Sequence, residues 1–237
     1  YAFEDLWPSR GDYDMNDVVV VVSVDRRSDK ETGKVELIRI NWELKAAGAA
    51  HLNAFAVQLD KVRASEVAGV ETTNTTFGRG AFAGSGPESG SELAVIPLFN
   101  TSQEILGEGT YINTTKGVAI PTVKHTTTVT FAQPVDPAAV RESALNAFIV
   151  VNKPTQFAVV SGNTFLESDP YRYFVTKGDG VKNNYMMWAL CIPGEFRYPL
   201  ERSDIRDVYT YFNAWAASGG REHVEWYRDE ADETLLY

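Results

Sequence analysis

Five carboxylate side chains and one amide crowd a short stretch near the start of the chain. They are Glu4, Asp5, Asp12, Asp14, Asn16 and Asp17. Carboxylates at this density repel one another unless a cation joins them. Ca²⁺ takes oxygen ligands in a flexible geometry, and an Asp-x-Asp-x-Asn-Asp string on a turn can supply several of them. Gly11 lets the backbone turn at the start of this acidic string, which we define as residues 11–17. The segment therefore predicts a calcium-binding loop.

The spacing of the acidic string distinguishes it from other kinds of metal site. An EF-hand loop begins in a similar way, but its sixth position would be Asp17 rather than Gly and its twelfth would be Ser23 rather than Glu. Zinc sites need His or Cys ligands, and neither lies nearby. Phosphate-bound Mg²⁺ would need basic side chains, which the acidic field opposes. A solvated acidic turn, held by hydrogen bonds from side chain to backbone, stays open as the metal-free interpretation.

The backbone limits how many of the six side chains can reach one ion. Successive side chains along a strand point to opposite faces, so Glu4 and Asp5 are expected to diverge. All six are therefore candidate ligands, of which only a subset coordinates.

The sequence offers little for an enzyme mechanism. His51, His125 and His223 are far apart, and neither G-x-S-x-G nor H-E-x-x-H occurs. A glycoside hydrolase would need two carboxylates about 5–9.5 Å apart. Candidates for such a pair are Glu195, Glu201, Asp204 and Asp207.

Aromatic side chains near turns are candidates for a ligand-binding face. Trp7, Tyr13 and Trp226 stand beside polar residues, where an exposed ring could contact a glycan or a protein. The alternative is that these rings cover loops and the edges of the core.

The elements that must position these residues are mostly strands. Alternating or β-branched runs, separated by turn signals, predict strands at 17–25, 34–46, 52–62, 93–99, 122–132, 146–151, 157–160 and 184–192. The unbroken valines after residue 17 predict burial on both faces of the first of these strands, and residues 63–71 predict only a short turn. Many short strands with turns between them are typical of an antiparallel sandwich.

One helix is predicted late in the chain, at about residues 203–218. Apolar residues from Ile205 to Ala216 recur at helical spacing, with Ser203 as a candidate N-cap and Gly219-Gly220 as a stop. The glycine-rich residues 77–91 lack the Lys and Ser/Thr of a phosphate loop and predict a surface loop.

Composition excludes several classes of function. The formal net charge of −10 argues against a nucleic-acid binder, which needs a surplus of Lys and Arg. No apolar run is long enough to cross a membrane. The single cysteine, Cys191, cannot form an internal disulfide, and its apolar neighbours predict a buried side chain.

The opening string also carries a family likeness. Residues 3–19 read FEDLWPSRGDYDMNDVV and resemble the opening of the LruC domain, a family of unknown function in secreted or lipid-anchored bacterial envelope proteins. Residues 188–190, 192–196, 218–220 and 226–227 resemble its closing block. The resemblance implies one β-rich envelope domain over residues 1–237, with Ca²⁺ bound by the acidic opening and no known catalytic activity.

Together these features predict a mostly β, antiparallel sandwich-like domain, with a jelly roll as one form and the late helix packed on it. We expect a non-enzymatic module of the cell envelope or extracellular space, with any signal or lipid anchor already removed. Its Ca²⁺ would stiffen a surface for adhesion to a glycan or a surface protein. The alternatives are a carbohydrate-active hydrolase and a structural component of a surface assembly.

Overall fold

The computed structural model describes residues 1–6, 9–78, 80–152, 172–174 and 187–237, with residues 152 and 172–174 as backbone only. The strands in these residues are β1 (Ala2–Phe3), β2 (Val18–Ser28), β3 (Val35–Ala46), β4 (Leu52–Arg63), β5 (Val67–Thr72), β6 (Leu93–Phe99), β7 (Lys124–Val135), β8 (Leu145–Asn152), β9 (Arg172–Phe174) and β10 (Ala189–Leu190). The α-helices are α1 (Ser102–Leu106), α2 (Ile205–Val208) and α3 (Phe212–Ala217). Single 3₁₀ turns lie at Ala64–Glu66, Pro137–Ala139, Glu142–Ala144, Trp226–Arg228 and Glu233–Leu235.

The strands form two antiparallel sheets. The first has the order β10-β1-β2-β3-β7-β5, and the second has the order β6-β4-β8-β9. The prediction of a mostly β, antiparallel sandwich is confirmed.

The core lies between the two sheets because alternate residues of the central strands face inward. Ile38, Ile40 and Trp42 of β3 pack in one cluster with Phe55 and Val57 of β4, and all five side chains are buried. Burying a large apolar side chain contributes roughly 1.5–3 kcal/mol. A one-residue slip of β3 against its neighbours would turn these side chains away from the core, so their burial fixes the pairing register of β3.

The valine run of β2 is buried on both faces only at its start. Val18 and Val20 enter the core between the sheets, and Val19 packs in a second cluster beneath the C-terminal residues. Val21 is 53% exposed, so the predicted two-sided burial ends there.

Strand prediction failed where the apolar pattern is weak. Residues 63–71 hold a short 3₁₀ turn followed by β5, which pairs with β7 although Gly69 interrupts its sequence. The two-residue strands β1 and β10 are likewise set by pairing with neighbours rather than by their own sequence. The strand predicted at 157–160 lies outside the described residues.

The prediction of one continuous helix at 203–218 is wrong, because the segment holds two short helices. Tyr209 is extended (φ −107°, ψ 111°) and separates α2 from α3. It forms an antiparallel bridge with Ala231, and Asp232 N–H donates to Val208 O. This pairing with residues 231–232 outweighs the helical spacing of the apolar residues, although those residues still pack inward. Asp204, rather than Ser203, caps α2.

The described glycine-rich residues pack on the outer face of the second sheet. Phe82 is buried against Phe148. Asn100 holds this glycine-rich segment in place, since its Oδ1 accepts from Phe82 N–H and its Nδ2 donates to the carbonyls of Gly78 and Phe82.

Two further observations concern the surface. Cys191 is exposed, so the predicted burial of this residue is wrong; it follows the edge strand β10. The longest α-helix in the described residues has six residues, and none there is long and apolar enough to cross a bilayer.

Candidate metal centre

The acidic segment connects β1 to β2 and is enclosed from two sides. The link between β3 and β4 contacts it through Gly48, whose N–H donates to Asn16 O (2.9 Å). Residues 199–205 contact it from the opposite end of the chain. As a result, five of its six candidate ligands are buried, and only Asp12 is partly exposed.

Three of the six side chains come together in one cluster. Carboxylate oxygens of Glu4, Asp12 and Asp14 lie within 4.8 Å of one another, the one such group of His, Cys, Asp or Glu in the described part of the chain. Glu4 and Asp14 are 2% and 1% exposed. Met15 N–H donates to Glu4 Oε1 at 2.7 Å, whereas Glu4 Oε2 is buried and has no hydrogen-bond partner.

Burial and like charge make both inner carboxylates hard to ionise. Burial, followed by the charge of Asp12, raises the pKa of Asp14 to about 8, although N–H donors from Arg202 and Asn16 oppose the shift. Burial, followed by the charge of Asp14, raises the pKa of Glu4 well above its ordinary value. The cluster therefore needs either protons or a cation to offset its charge.

Basic side chains do not neutralise this cluster. Among the described residues, no ion pair joins Glu4, Asp12 or Asp14 to a Lys, Arg or His. Arg10 and Arg206 both pair with Asp204 instead, at 3.2 and 2.5 Å. Arg206 also lies over the ring of Tyr13, 5.5 Å from its centre. Among the described residues, basic side chains therefore do not offset any negative charge that these three carboxylates carry.

The backbone of the acidic string alternates between ordinary and left-handed conformations. Gly11, Tyr13 and Met15 have φ values of 63°, 60° and 57°. Such conformations cost non-glycine residues of the order of 1–3 kcal/mol each and persist only where the surroundings enforce them. The alternation turns Tyr13 and Met15 into an apolar cluster and leaves Asp12 and Asp14 beside Glu4.

Gly11 is needed for a second reason, which is close approach. A Cβ at this position would lie 2.9 Å from Glu4 Oε2. The unpartnered carboxylate oxygen therefore rests directly against the Gly11 backbone.

Asp5 and Asp17 form a separate pair next to the cluster. Asp5 Oδ2 accepts from Asn53 Nδ2 at 2.8 Å and lies 3.2 Å from His51 Nδ1. Asp17 Oδ2 accepts from the N–H of Asp5 at 2.7 Å. Burial, and then the charge of Asp5, raises the pKa of Asp17 well above its ordinary value. These two residues thus extend the acidic region without joining the three-carboxylate group.

Asn16 is fixed as part of the framework. Its Nδ2 donates to Pro199 O at 3.1 Å, and its Oδ1 has no hydrogen-bond partner. A Cβ on Gly48 would lie 1.8 Å from that oxygen, so Gly48 leaves the space that the amide occupies.

Glu201 is a carboxylate near the site that sequence reasoning did not assign to it. It is half-buried, and its N–H donates to Thr114 O. Burial, followed by the charge of Asp12, raises its pKa to about 7. No sequence signal connects residue 201 to residue 12, and Glu201 stood out only as one member of a candidate hydrolase pair.

The aromatic residues predicted as ligand contacts do not form an exposed face. Tyr13 and Trp226 are 3% and 1% exposed and belong to one apolar cluster. The prediction of accessible rings is wrong for both, because Tyr13 packs edge-on to Phe212 and Trp226 fills the centre of the aromatic contacts. Trp7 lies outside the described residues.

Comparison with known proteins adds a family and a fold. The family model described as "Domain of unknown function (DUF4842)" matches residues 33–227. No curated protein matches the chain. A crystal structure of a Bacteroides ovatus protein described as a putative lipoprotein is similar with a TM-score of 0.68 and 18% identity, over 100% of this chain and 74% of that one. At this identity the similarity concerns the fold alone.

The family match and the acidic string cover different residues. The matched range begins after Asp17 and includes Glu201. None of these matches carries the LruC name, so membership of that family stays a prediction. The match to a domain of unknown function agrees with the predicted kind of family.

Proposed function

The chain belongs to the DUF4842 family of unknown function, and we propose that it is a non-enzymatic envelope module with a structural Ca²⁺ site. Glu4, Asp12 and Asp14 would hold the ion. The ion would supply positive charge that fixes the segment between β1 and β2. No catalytic step is part of this proposal.

The observation that carries the proposal is the buried, unpartnered Oε2 of Glu4. A buried polar atom without a partner costs about 1–3 kcal/mol, and more when it is charged. Here its carboxylate also lies within 4.8 Å of oxygens from Asp12 and Asp14. A cation would satisfy the orphaned oxygen and the repulsion between the three carboxylates together.

The chemistry of the donors favours Ca²⁺ over other ions. All three residues offer hard carboxylate oxygens, which suit the flexible coordination of Ca²⁺. Zn²⁺ prefers His and Cys ligands, and the histidine in the acidic region, His51, contacts Asp5 rather than the three-carboxylate cluster. The metal-free alternative is that protons occupy Glu4 and Asp14.

The envelope location and the partner belong to the same proposal. The similar Bacteroides ovatus protein is described as a putative lipoprotein, which supports placing this chain at the cell envelope. An ion-stiffened surface would suit adhesion to a glycan or a surface protein. A structural role in a surface assembly would need the same rigid loop.

A hydrolase mechanism finds less support in the four carboxylates considered for it. Burial raises the pKa of Asp204, but hydrogen bonds from Arg206 outweigh it and hold that pKa below its ordinary value. Asp204 also caps α2, which gives it a structural role. Glu201 has a raised pKa, but the carboxylate whose charge contributes to that shift is Asp12 rather than one of the other three candidates.

The test is Ca²⁺ titration by calorimetry, together with thermal unfolding in EGTA and in Ca²⁺. Extracellular sites bind at about 10⁻⁴–10⁻³ M, so titration to about 10 mM covers the range. At 100 times Kd, the ion should stabilise the fold by about 2.7 kcal/mol.

Glu4→Gln is the decisive variant because it keeps an acceptor for Met15 N–H while removing the charge. Binding should weaken by more than about tenfold, since a unit-charge interaction at 4 Å is worth about 4 kcal/mol near a protein surface. The control is Glu36→Gln, whose carboxylate pairs with Arg27 on the exposed side of β3. Absence of Ca²⁺ binding by the wild-type protein would refute the site.

A further inference from the structure

The C-terminal cover, defined as residues 196–237, is hydrogen-bonded to residues 113–118 and shares an apolar cluster with Ala2, Val19 and Ala46 of the first sheet. Three further hydrogen bonds join it to the acidic string. Asn16 Nδ2 donates to Pro199 O, Arg202 N–H donates to Asp14 Oδ2 (2.7 Å), and Ile205 N–H donates to Tyr13 O (2.8 Å). Each uses a residue of the string, and one of them, Asp14, also belongs to the carboxylate cluster.

The apolar positions of the string extend the same attachment. Tyr13 and Met15 alternate with Asp12 and Asp14 and lie in one cluster with residues of the cover. The ring of Tyr13 packs edge-on to Phe212, with 6.2 Å between ring centres. The string therefore contacts the cover through its apolar side chains as well as through hydrogen bonds.

The cover also brings acidic charge to the cluster. Arg202 has a left-handed backbone (φ 63°), and its N–H reaches Asp14. The preceding residue, Glu201, is half-buried, and the charge of Asp12 acts on its carboxyl group. The guanidinium of Arg202 forms a long ion pair with Glu201 (4.0 Å) and is mostly exposed, so solvent screens this pair. Docking of the cover thus adds repulsion as well as contacts.

We propose that cation binding at Glu4, Asp12 and Asp14 closes the C-terminal cover onto the first sheet, with Glu201 adding its charge to the site. This inference rests on the proposed function. Without the ion, repulsion between ionised carboxylates of the cluster and the left-handed residues Tyr13 and Met15 both favour a relaxed string, which would loosen the part of the cover that contacts it. With the ion, the string is held in the conformation to which the cover is hydrogen-bonded.

The test is hydrogen exchange measured by mass spectrometry on the whole chain, in EGTA, in Ca²⁺ and in Mg²⁺. Peptides from residues 199–215 report on the cover, and peptides from β3 report on the central sheet. In EGTA the cover should exchange faster than β3 because it opens without global unfolding. At 100 times Kd, Ca²⁺ should slow the exchange of the cover by up to about 100-fold and reduce its difference from β3.

Calorimetry on the same samples separates the two ideas. If Ca²⁺ binds but the ratio of cover exchange to β3 exchange does not change, the coupling is wrong and the Ca²⁺ site stands. If Ca²⁺ does not bind, both fail.

Two variants test the charges directly. Asp12→Asn removes charge from the most accessible carboxylate, so its cover should exchange more slowly than wild type in EGTA and respond little to Ca²⁺. Asp25→Asn on β2, where the carboxylate accepts from Asn41, is the matched control. Glu201→Gln should weaken Ca²⁺ binding several-fold without disturbing β3. Unchanged affinity would remove Glu201 from the site, and unchanged cover exchange in Asp12→Asn would contradict repulsion as the opening force.

Discussion

Replacing Gly11 by alanine tests whether the position of the Glu4 carboxylate controls cation binding. Gly11 has φ +63°, and an added Cβ would lie 2.9 Å from Glu4 Oε2 and 3.3 Å from Leu6 Cδ1. The left-handed conformation alone should cost the alanine about 1–2 kcal/mol. The close contact should also displace the carboxylate, whose other oxygen is held by Met15 N–H.

Gly33→Ala separates these two effects. Gly33 lies in the turn between β2 and β3 with φ +69°, and nothing lies within 4 Å of an added Cβ. In EGTA, Gly33→Ala should lose about 1–2 kcal/mol of stability and Gly11→Ala at least as much, and each kcal/mol lowers Tm by about 2–4 °C at this size. Only Gly11→Ala should also lose the rise in Tm that Ca²⁺ gives the wild type. Equal Ca²⁺-dependent rises in both variants, measured by circular dichroism, would refute the role of Glu4.

Other perturbations should have distinct effects. In EGTA, the free energy of unfolding should fall as pH rises from about 4 to about 8. The Asp14 carboxyl has a pKa of about 8 in the folded state but an ordinary value of 3.8 when unfolded, so unfolding releases its proton in that window. Urea unfolding across this range should show the slope, and Ca²⁺ should reduce it; a flat profile would contradict it. Asn100→Ala should lose about 1–3 kcal/mol, because the backbone groups of Phe82 would lose their partner. Trp226→Ala should lose about 3–5 kcal/mol in thermal melts, as expected for a buried core ring rather than a ligand contact.

The sheet could be predicted from sequence wherever one face of a strand is buried. In β3 and β4, alternation or sustained apolar character reflects burial directly, and the predicted bounds agree with the structure to within one residue. β5 could not be predicted, because its formation depends on pairing with β7 rather than on its own pattern. The break at Tyr209 has the same origin, since residues 230–232 supply the competing hydrogen bonds.

The candidate site could be predicted only in its local half. The spacing of Asp12 and Asp14 and the nearby Glu4 identified the acidic string, and the structure places these three carboxylates together. Their separation from Asp5 follows from the local chain direction. Glu201 could not be found in this way, because tertiary packing alone brings a residue 189 positions beyond Asp12 to the same region.

The acidic string carries two patterns with the same period. Its odd positions from 11 to 15 have left-handed backbones, and two of them, Tyr13 and Met15, place apolar side chains in the cluster beneath the C-terminal cover. Its even positions place Asp12 and Asp14 beside Glu4. A sequence search for metal ligands considers only the second pattern. Because one strained backbone carries both patterns, the proposed ion binding would depend on the same few dihedral angles as the contacts with the cover. From the spacing of its carboxylates alone, this loop would be predicted only as a metal site. The residues between the carboxylates also connect it to the C-terminal cover, so the loop joins the two ends of the chain.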